Sequence, residues 1–398
     1  MSAALHLQAR GRSVALIDRR GAGEETSFGN AGLIERSSVI PYAFPRDLGM
    51  LIRVGLGSAT AARYQRSFLP VIAPWLLRYW RNSAPGPLLK AAQDMLPLIE
   101  RSVTEHVALM DAAGARSLVR DTGWIEVHRS EASWIAAQAK LAGLAPYKLN
   151  YDVLQHNELR AVEPALRDSV IGGIHWRDPL AVSDPGALTK AYADLFARRG
   201  GRCLRGDART LTADGDAWTV ASEGGPVRAR EVIVALGPWS SNVYAPLGYR
   251  IPLAVKRGYH MHYAPVEGAA PVHAMIDPAA GFALAPMAGG IRLTTGAEFA
   301  RFESPATPVQ LAKDEIIARQ IIPLGARRDP EPWLGNRPCL PDMRPVIGPA
   351  ARHRGLWFLF GHAHHGLTLG PATGRLLAEM MTGEQPFTDP APYRPDRF

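Results

Sequence analysis

MSAALHLQARGRSVALID, residues 1–18, reads as a short helix, a tight turn and a strand. Ala4 and Leu7 stand three apart, on one face of a helix. Gly11 follows, free to take the positive φ at which helices end. Residues 12–18 (RSVALID) then form a strand that buries Val14, Leu16 and Ile17. Asp18 closes that strand at its carboxyl end, where an acid can hydrogen-bond both hydroxyls of an adenosine ribose. Ala4, Leu7, Gly11, Val14 and Asp18 therefore match the second half of a dinucleotide-binding fingerprint. The first half, a strand and a glycine-rich turn that brings a pyrophosphate to a helix N-terminus, is expected ahead of Met1, so the sequence is expected to start late or truncated. An unrelated amphipathic helix and strand would show the same eighteen residues, so the rest of the chain decides.

The chain has 398 residues, enough for two or three domains' worth of core. Hydrophobic residues make up 47% and charged residues 21%, which excludes a disordered or fibrous chain. No run approaches the ~20 apolar residues of a membrane-spanning helix. The most apolar stretch, 69–80, is interrupted by Pro70, Pro74 and Arg78. The N-terminus lacks the basic-then-apolar pattern of a secretory signal. Cys203 and Cys339 lie far apart and form no CxxC pair, so a disulfide framework or structural zinc is not expected and a reducing cytoplasm is. Net charge is +8, carried mostly by scattered arginines. Without a basic stripe interleaved with aromatics, nucleic acid is not an expected partner. Attraction to an anionic membrane surface stays open.

Outward from Asp18, residues 19–33 (RRGAGEETSFGNAGL) form a loop of small residues. Its hydroxyls, its Asn30 amide and its glycines suit a closely approached ligand, although a plain surface loop has the same composition. Asp184-Pro185 opens a helix with an acidic cap and proline in the first turn. Residues 231–236 (EVIVAL) are an apolar strand running into Gly237, as parallel strands do where they meet a ligand. Residues 251–263 and 291–297 alternate as antiparallel strands. A strand at 356–360 leads into GHAHHGLTLG, punctuated by Gly361, Gly366 and Gly370, and then a helix over 371–381 whose N-terminal dipole suits an electron-rich group.

Six segments in this order resemble the FAD-dependent amine oxidoreductases of the D-amino-acid dehydrogenase, glycine oxidase and D-amino-acid oxidase superfamily. They are the half-fingerprint ending at Asp18, TSFGNAG (26–32), DPGAL (184–188), VIVALGPWS (232–240), WLGNRPCLPDMRPVIG (333–348) and GHAHHGLTLGPATGRLLAEM (361–380). TSFGNAG and RGYH (257–260) lean toward the bacterial D-amino-acid dehydrogenases. The resemblance covers almost the whole chain. It implies an α/β fold: a Rossmann-like FAD-binding domain with its first strand and glycine turn absent, and an antiparallel-sheet α+β substrate domain. The FAD domain is expected to be discontinuous, 1–40, 165–246 and 333–398, with 41–164 and 247–332 as substrate domain.

The resemblance places Asp18 at the adenosine ribose and Arg19 among the cofactor-binding residues. It places Thr26, Ser27, Asn30, Ala31 and Gly32 along the pyrophosphate and flavin ring, and Ala235, Gly237 and Trp239 on the adenine side. Gly361, His362, Gly366, Leu367 and Thr368 would contact the isoalloxazine and ribityl chain. Arg337 matches the arginine that grips the substrate carboxylate, with Arg344 and Arg257 behind it; a planar guanidinium suits a carboxylate. Where glycine oxidases carry a second arginine, this chain has His364. Tyr259 and His260 are candidates to shape the substrate pocket, and equally fit as packed strand residues. The cluster His362, His364, His365 lacks nearby carboxylates or thiolates, so no metal is expected. No GxSxG elbow supports hydrolysis.

The implied reaction is oxidative deamination of a D-amino acid or a D-hydroxyproline-like substrate, by hydride transfer from Cα to flavin N5. The expected partners are that substrate and a quinone or other respiratory electron acceptor, the latter at the inner-membrane surface if the enzyme is peripheral there. The alternatives are a secondary-amine oxidase of the sarcosine or glycine type, and a non-catalytic remnant that binds FAD weakly.

Overall fold

The structure is a computed structural model describing residues 1–55 and 60–398. Its first helix, Ser2–Gln8, buries Ala3, Ala4, Leu5 and Leu7. Gly11, at φ +74°, turns the chain into the strand Ala15–Asp18. That strand pairs in parallel with Arg202–Arg205. The connecting path includes the helix Pro185–Arg198, whose N-cap Asp184 accepts the Ala187 amide at 2.9 Å, as the Asp-Pro signal predicts. A second parallel pair joins Val232–Val234 to Leu356–Phe360, and Val346–Pro349 adds an antiparallel edge. These pieces make the mixed α/β part of the fold.

The rest is organised by an eleven-stranded sheet around Ala254–Pro265. This strand pairs antiparallel with Gly290–Thr294 and with Trp333–Cys339. Alternation along AVKRGYHMHYAP sorts its side chains by face. Tyr259, Met261 and Tyr263 enter the core with Phe282, Leu284, Leu293, Leu311 and Ile321. Each such side chain contributes on the order of 2 kcal/mol of burial. Lys256, Gly258, His260 and His262 lie on the opposite face.

The last helix runs Gly366–Thr382, five residues earlier than the proline at 371 suggests. A proline inside a helix has no N–H for the carbonyl four residues back, here Leu367. His106, on the long buried helix Pro85–Ala113, supplies the missing donor: its Nε2 lies 2.8 Å from the Leu367 oxygen. His106 Nδ1 meets the Tyr192 hydroxyl at 2.9 Å. A partner 261 positions away thus lets the helix begin at the glycine-rich turn. Among the described residues, no helix is long and apolar enough to cross a membrane.

Candidate active site

A cavity of about 2120 Å³ is lined by both parts of the fold. This is roughly twice the upper end of an ordinary ligand pocket. Asp18, Arg19, Arg205 and Trp239 gather in one part of it. The Arg19 guanidinium lies 4.0 Å over the Trp239 ring, and Arg205 donates to the Arg19 carbonyl at 3.1 Å. Asp18 accepts the Arg20 amide at 3.0 Å. Ala235 and Gly237 border the same cavity.

The loop after the first strand forms another wall. Thr26, Ser27, Asn30 and Ala31 line the cavity, whereas Gly32 sits behind it, bonded through its N–H to Asn30 Oδ1 at 2.8 Å. Arg292 holds this loop from beneath, donating to the carbonyls of Phe28 at 2.8 Å and Asn30 at 2.6 Å. Its Nε donates to His262 Nε2 at 3.0 Å, and His262 Nδ1 faces Asp329 at 2.9 Å.

The turn Gly361–Gly366 closes a third side. Ala363 adopts φ +52°, an uncommon conformation for a residue with a Cβ, and sets the turn ahead of the helix N-terminus. Gly361, His362, Gly366, Leu367 and Thr368 all line the cavity. The Thr368 hydroxyl donates to the Leu33 carbonyl at 3.0 Å, tying this turn to the strand Leu33–Ile34. Burial lowers the pKa of His362 and of His365 to about 4, and that of His364 well below its usual value. All three rings are therefore neutral at pH 7. The Nε2 atoms of His364 and His365 are buried without a hydrogen-bond partner.

Arginine pairing separates the three carboxylate-binding candidates. Arg257 is spent on Glu298 in a fully buried ion pair at 3.0 Å. Arg344 is spent on Asp94 at 2.5 Å and Asp342 at 3.4 Å. Arg337 lines the cavity and has no described carboxylate within 4 Å. Its Nη1 donates to Gly296 O at 2.7 Å and its Nη2 to Thr295 O at 2.9 Å. Two of its five N–H donors are used, so the guanidinium is aimed but not neutralised. It crosses the neighbouring strand over Gly258, where a Cβ would come within 2.5 Å of Nη2. Burial lowers its pKa below the usual arginine value, against the favourable fields of Cys339 and Tyr42.

Two other catalytic candidates lie elsewhere. The Tyr259 hydroxyl donates to Glu298 at 2.8 Å and accepts from Arg257 at 3.0 Å and from the Thr307 amide at 2.8 Å. Tyr259 reaches the cavity edge, but its hydroxyl belongs to that buried cluster. His260 stacks on Trp333, ring centroids 4.8 Å apart, and lies outside the cavity lining. Burial, then Arg292 and His262, lower its pKa to about 2. His364 does line the cavity, with Tyr42 packed edge-on at 4.8 Å. Among the described residues, one grouping has metal-ligand donors together: His260, His262 and Asp329. The bond from Arg292 occupies His262 Nε2 there and brings a cation to the spot.

Sequence reasoning missed Tyr42, Lys256, Gly258 and Arg292. The period-2 alternation puts Lys256 and Gly258 on the face opposite Tyr259, but does not say which face meets the cavity. Tyr42 and Arg292 arrive from separate segments, and no local pattern marks them.

Comparison with known proteins settles the family. The sequence profile of the FAD dependent oxidoreductase family matches residues 1–380. The chain belongs to this family. As a member of the FAD dependent oxidoreductases it is 29% identical to a D-amino-acid oxidase of Bradyrhizobium diazoefficiens, over 98% of this chain and 94% of that one. It is 28% identical to a D-amino acid dehydrogenase of the same organism, over 100% and 96%. The fold matches glycine oxidase from Geobacillus kaustophilus with a TM-score of 0.75 at 20% identity, covering 100% of this chain and 95% of that one. It matches iminodiacetate oxidase from Chelativorans sp. BNC1 with a TM-score of 0.72 at 20% identity, covering 99% and 95%. FAD is the family's cofactor, and the cavity fits it. The cavity is large enough, carries an acid at the end of a parallel strand, and exposes the start of a 17-residue helix beside two orphaned imidazole nitrogens.

Proposed function

We propose that this chain oxidises a D-amino acid, or a D-hydroxyproline-like relative, at its Cα–N bond. The amine becomes an imine and is then hydrolysed, a primary amine yielding a 2-keto acid and ammonia. The observation that carries this reading is the unpaired Arg337 guanidinium facing the cavity beside the His362–Thr368 turn.

Bound FAD supplies the acceptor, N5, for the hydride leaving Cα. Asp18 would hold the adenosine ribose, with Arg19, Ala235, Gly237 and Trp239 around the adenine side. Thr26, Ser27, Asn30 and Ala31 would follow the pyrophosphate and ring edge, with Gly32 supporting the loop from behind. Gly361, His362, Gly366, Leu367 and Thr368 would face the ring system. Arg337 grips the substrate carboxylate with its remaining donors, which fixes Cα relative to the ring. The amine must be neutral before hydride leaves. Neutral histidines and aromatic walls disfavour the ammonium, and the buried His364 Nε2 is free to accept an amine N–H.

The names of the Bradyrhizobium relatives support a D-amino acid as substrate. A secondary-amine or glycine-type reading is the second one, supported by the glycine and iminodiacetate oxidases that share the fold. We assign the FAD domain to 1–40, 165–246 and 333–398, and the substrate domain to 41–164 and 247–332; the strand Trp333–Cys339 is shared through its pairing with Ala254–Pro265.

The proposed acceptor is a membrane-associated carrier such as a quinone. Residues 40–93 hold seven basic residues and one acid. Leu48, Ile52, Val71, Leu77 and Trp80 are exposed there, and Arg46 stacks 4.3 Å over Trp80. Exposed apolar residues interleaved with arginine suit an anionic lipid surface. Turnover of D-amino acids, glycine, sarcosine and hydroxyproline with an artificial dye acceptor tests the reaction. A response to none of them would defeat the reading.

A further inference from the structure

Directly opposite Arg337 on the neighbouring strand stands Lys256. Such cross-strand partners project from the same face of the sheet. Lys256 lines the same cavity, and it too has no described carboxylate within 4 Å. Its ammonium lies 4.2 Å over the Tyr79 ring, 5.5 Å from Trp75 and 5.6 Å from Phe299. Three rings thus hold its position by cation–π attraction without neutralising it. Ile72, Trp75, Tyr79, Ala254 and Cys339 form an apolar cluster around it. Both Lys256 and Arg337 act on the buried His364 ring, whose Nε2 is unpartnered.

One end of the cavity therefore presents two fixed cations, neither with a described carboxylate within 4 Å, while Glu35 and Glu126 line the same cavity. The α-carboxylate of an amino acid satisfies only one of them. Leaving the other uncompensated beside apolar walls is costly, so a ligand that brings two negative charges fits best.

We infer that Lys256 is a specificity residue, and that the preferred substrates are amino acids with a second carboxylate on the side chain, of the aspartate or glutamate class. This rests on the amine-oxidation reading above. Arg337 takes the α-carboxylate, and Lys256 takes the distal one.

The test uses the FAD-loaded enzyme with D-glutamate against D-glutamine, and D-aspartate against D-asparagine. Each pair has one shape and differs by one charge. The wild type is expected to favour each acid over its amide by tenfold or more in kcat/KM. Lys256→Met is expected to collapse that ratio at least tenfold, mostly through KM, and Lys256→Arg to restore much of it. Calorimetric titration with glutarate and with butyrate reads the same site without turnover. Glutarate should bind more tightly to the wild type, and Lys256→Met should erase the difference.

Equal use of acids and amides by the wild type would overturn the inference while leaving amine oxidation standing. An equal loss for acids and amides in Lys256→Met would overturn it as well. Failure of every amino acid to be oxidised would instead strike the amine-oxidation reading, with the glutarate titration still reporting on the two cations.

Discussion

Removing the Arg337 guanidinium while keeping the cavity intact should uncouple substrate recognition from cofactor binding. Arg337 spends two donors on Gly296 O and Thr295 O and has three left for a ligand. A carboxylate taken by two of those makes two charge-assisted hydrogen bonds, each worth about 1.5–3 kcal/mol. Arg337→Ala should therefore cost about 3–6 kcal/mol, or roughly 10²- to 10⁴-fold in kcat/KM. The carbonyls it releases border the cavity, where water can replace the lost donors. The variant should consequently keep its flavin and most of its thermal stability. Gly258→Ala is the companion test, because it leaves the arginine in the chain. The added Cβ would sit 2.5 Å from Nη2 and 2.9 Å from Cζ. Reaching ordinary contact needs roughly 1 Å of displacement. A shift of that size at a positioning group costs on the order of 10²-fold in rate. Steady-state kinetics with a dye acceptor, beside the visible flavin spectrum of each variant, read both effects. An Arg337→Ala enzyme with bound flavin and unchanged kcat/KM would refute the reasoning, whatever Gly258→Ala does.

Other perturbations probe separate parts of the account. His106→Leu deprives the Leu367 carbonyl and the Tyr192 hydroxyl of a buried partner, and should destabilise the protein by about 2–4 kcal/mol in chemical denaturation. Burial depresses His106, His362 and His365 from 6.5 to about 4. The stability they contribute is complete above pH 6.5 and is lost as pH falls toward 4, each by up to about 3 kcal/mol, which midpoints measured across that range will show. Asp314 shifts the other way: burial, then Asp277, raise it from 3.8 to about 8. Its unfolded form releases its proton first, so stability falls as pH rises from 4 to 8, and Asp314→Asn should flatten that slope. Co-sedimentation with anionic vesicles should exceed that with neutral vesicles and weaken with salt. Arg78→Glu combined with Arg81→Glu should abolish it, and equal binding to both vesicle types would contradict the membrane-surface proposal.

The parts of this fold that rest on local signals were legible in the sequence. Gly11 and the Asp184-Pro185 cap each act within a few residues and stand at the helix ends they signal, and Asp18 ends the first strand. The family motifs likewise brought the 361–368 turn and Arg337 to the cavity. What the sequence concealed is long-range. The helix starts at Gly366 because His106, far upstream, donates to a carbonyl that Pro371 leaves free. Arg337 could be told from Arg257 and Arg344 only once Glu298, Asp94 and Asp342 were seen to neutralise the others. The strand 254–265 lay between these cases: its alternation was readable, but which face met the cavity was not.

The account turns on an amino acid giving up a hydride while Arg337 holds its carboxylate. Anaerobic mixing of the FAD-loaded protein with a D-amino acid, followed by visible absorbance, tests this without any assumption about the electron acceptor. The account predicts that the oxidised flavin band bleaches within the turnover time in the wild type and far more slowly in Arg337→Ala. A flavin that stays oxidised with every D-amino acid, D-hydroxyproline, glycine and sarcosine tried would contradict it.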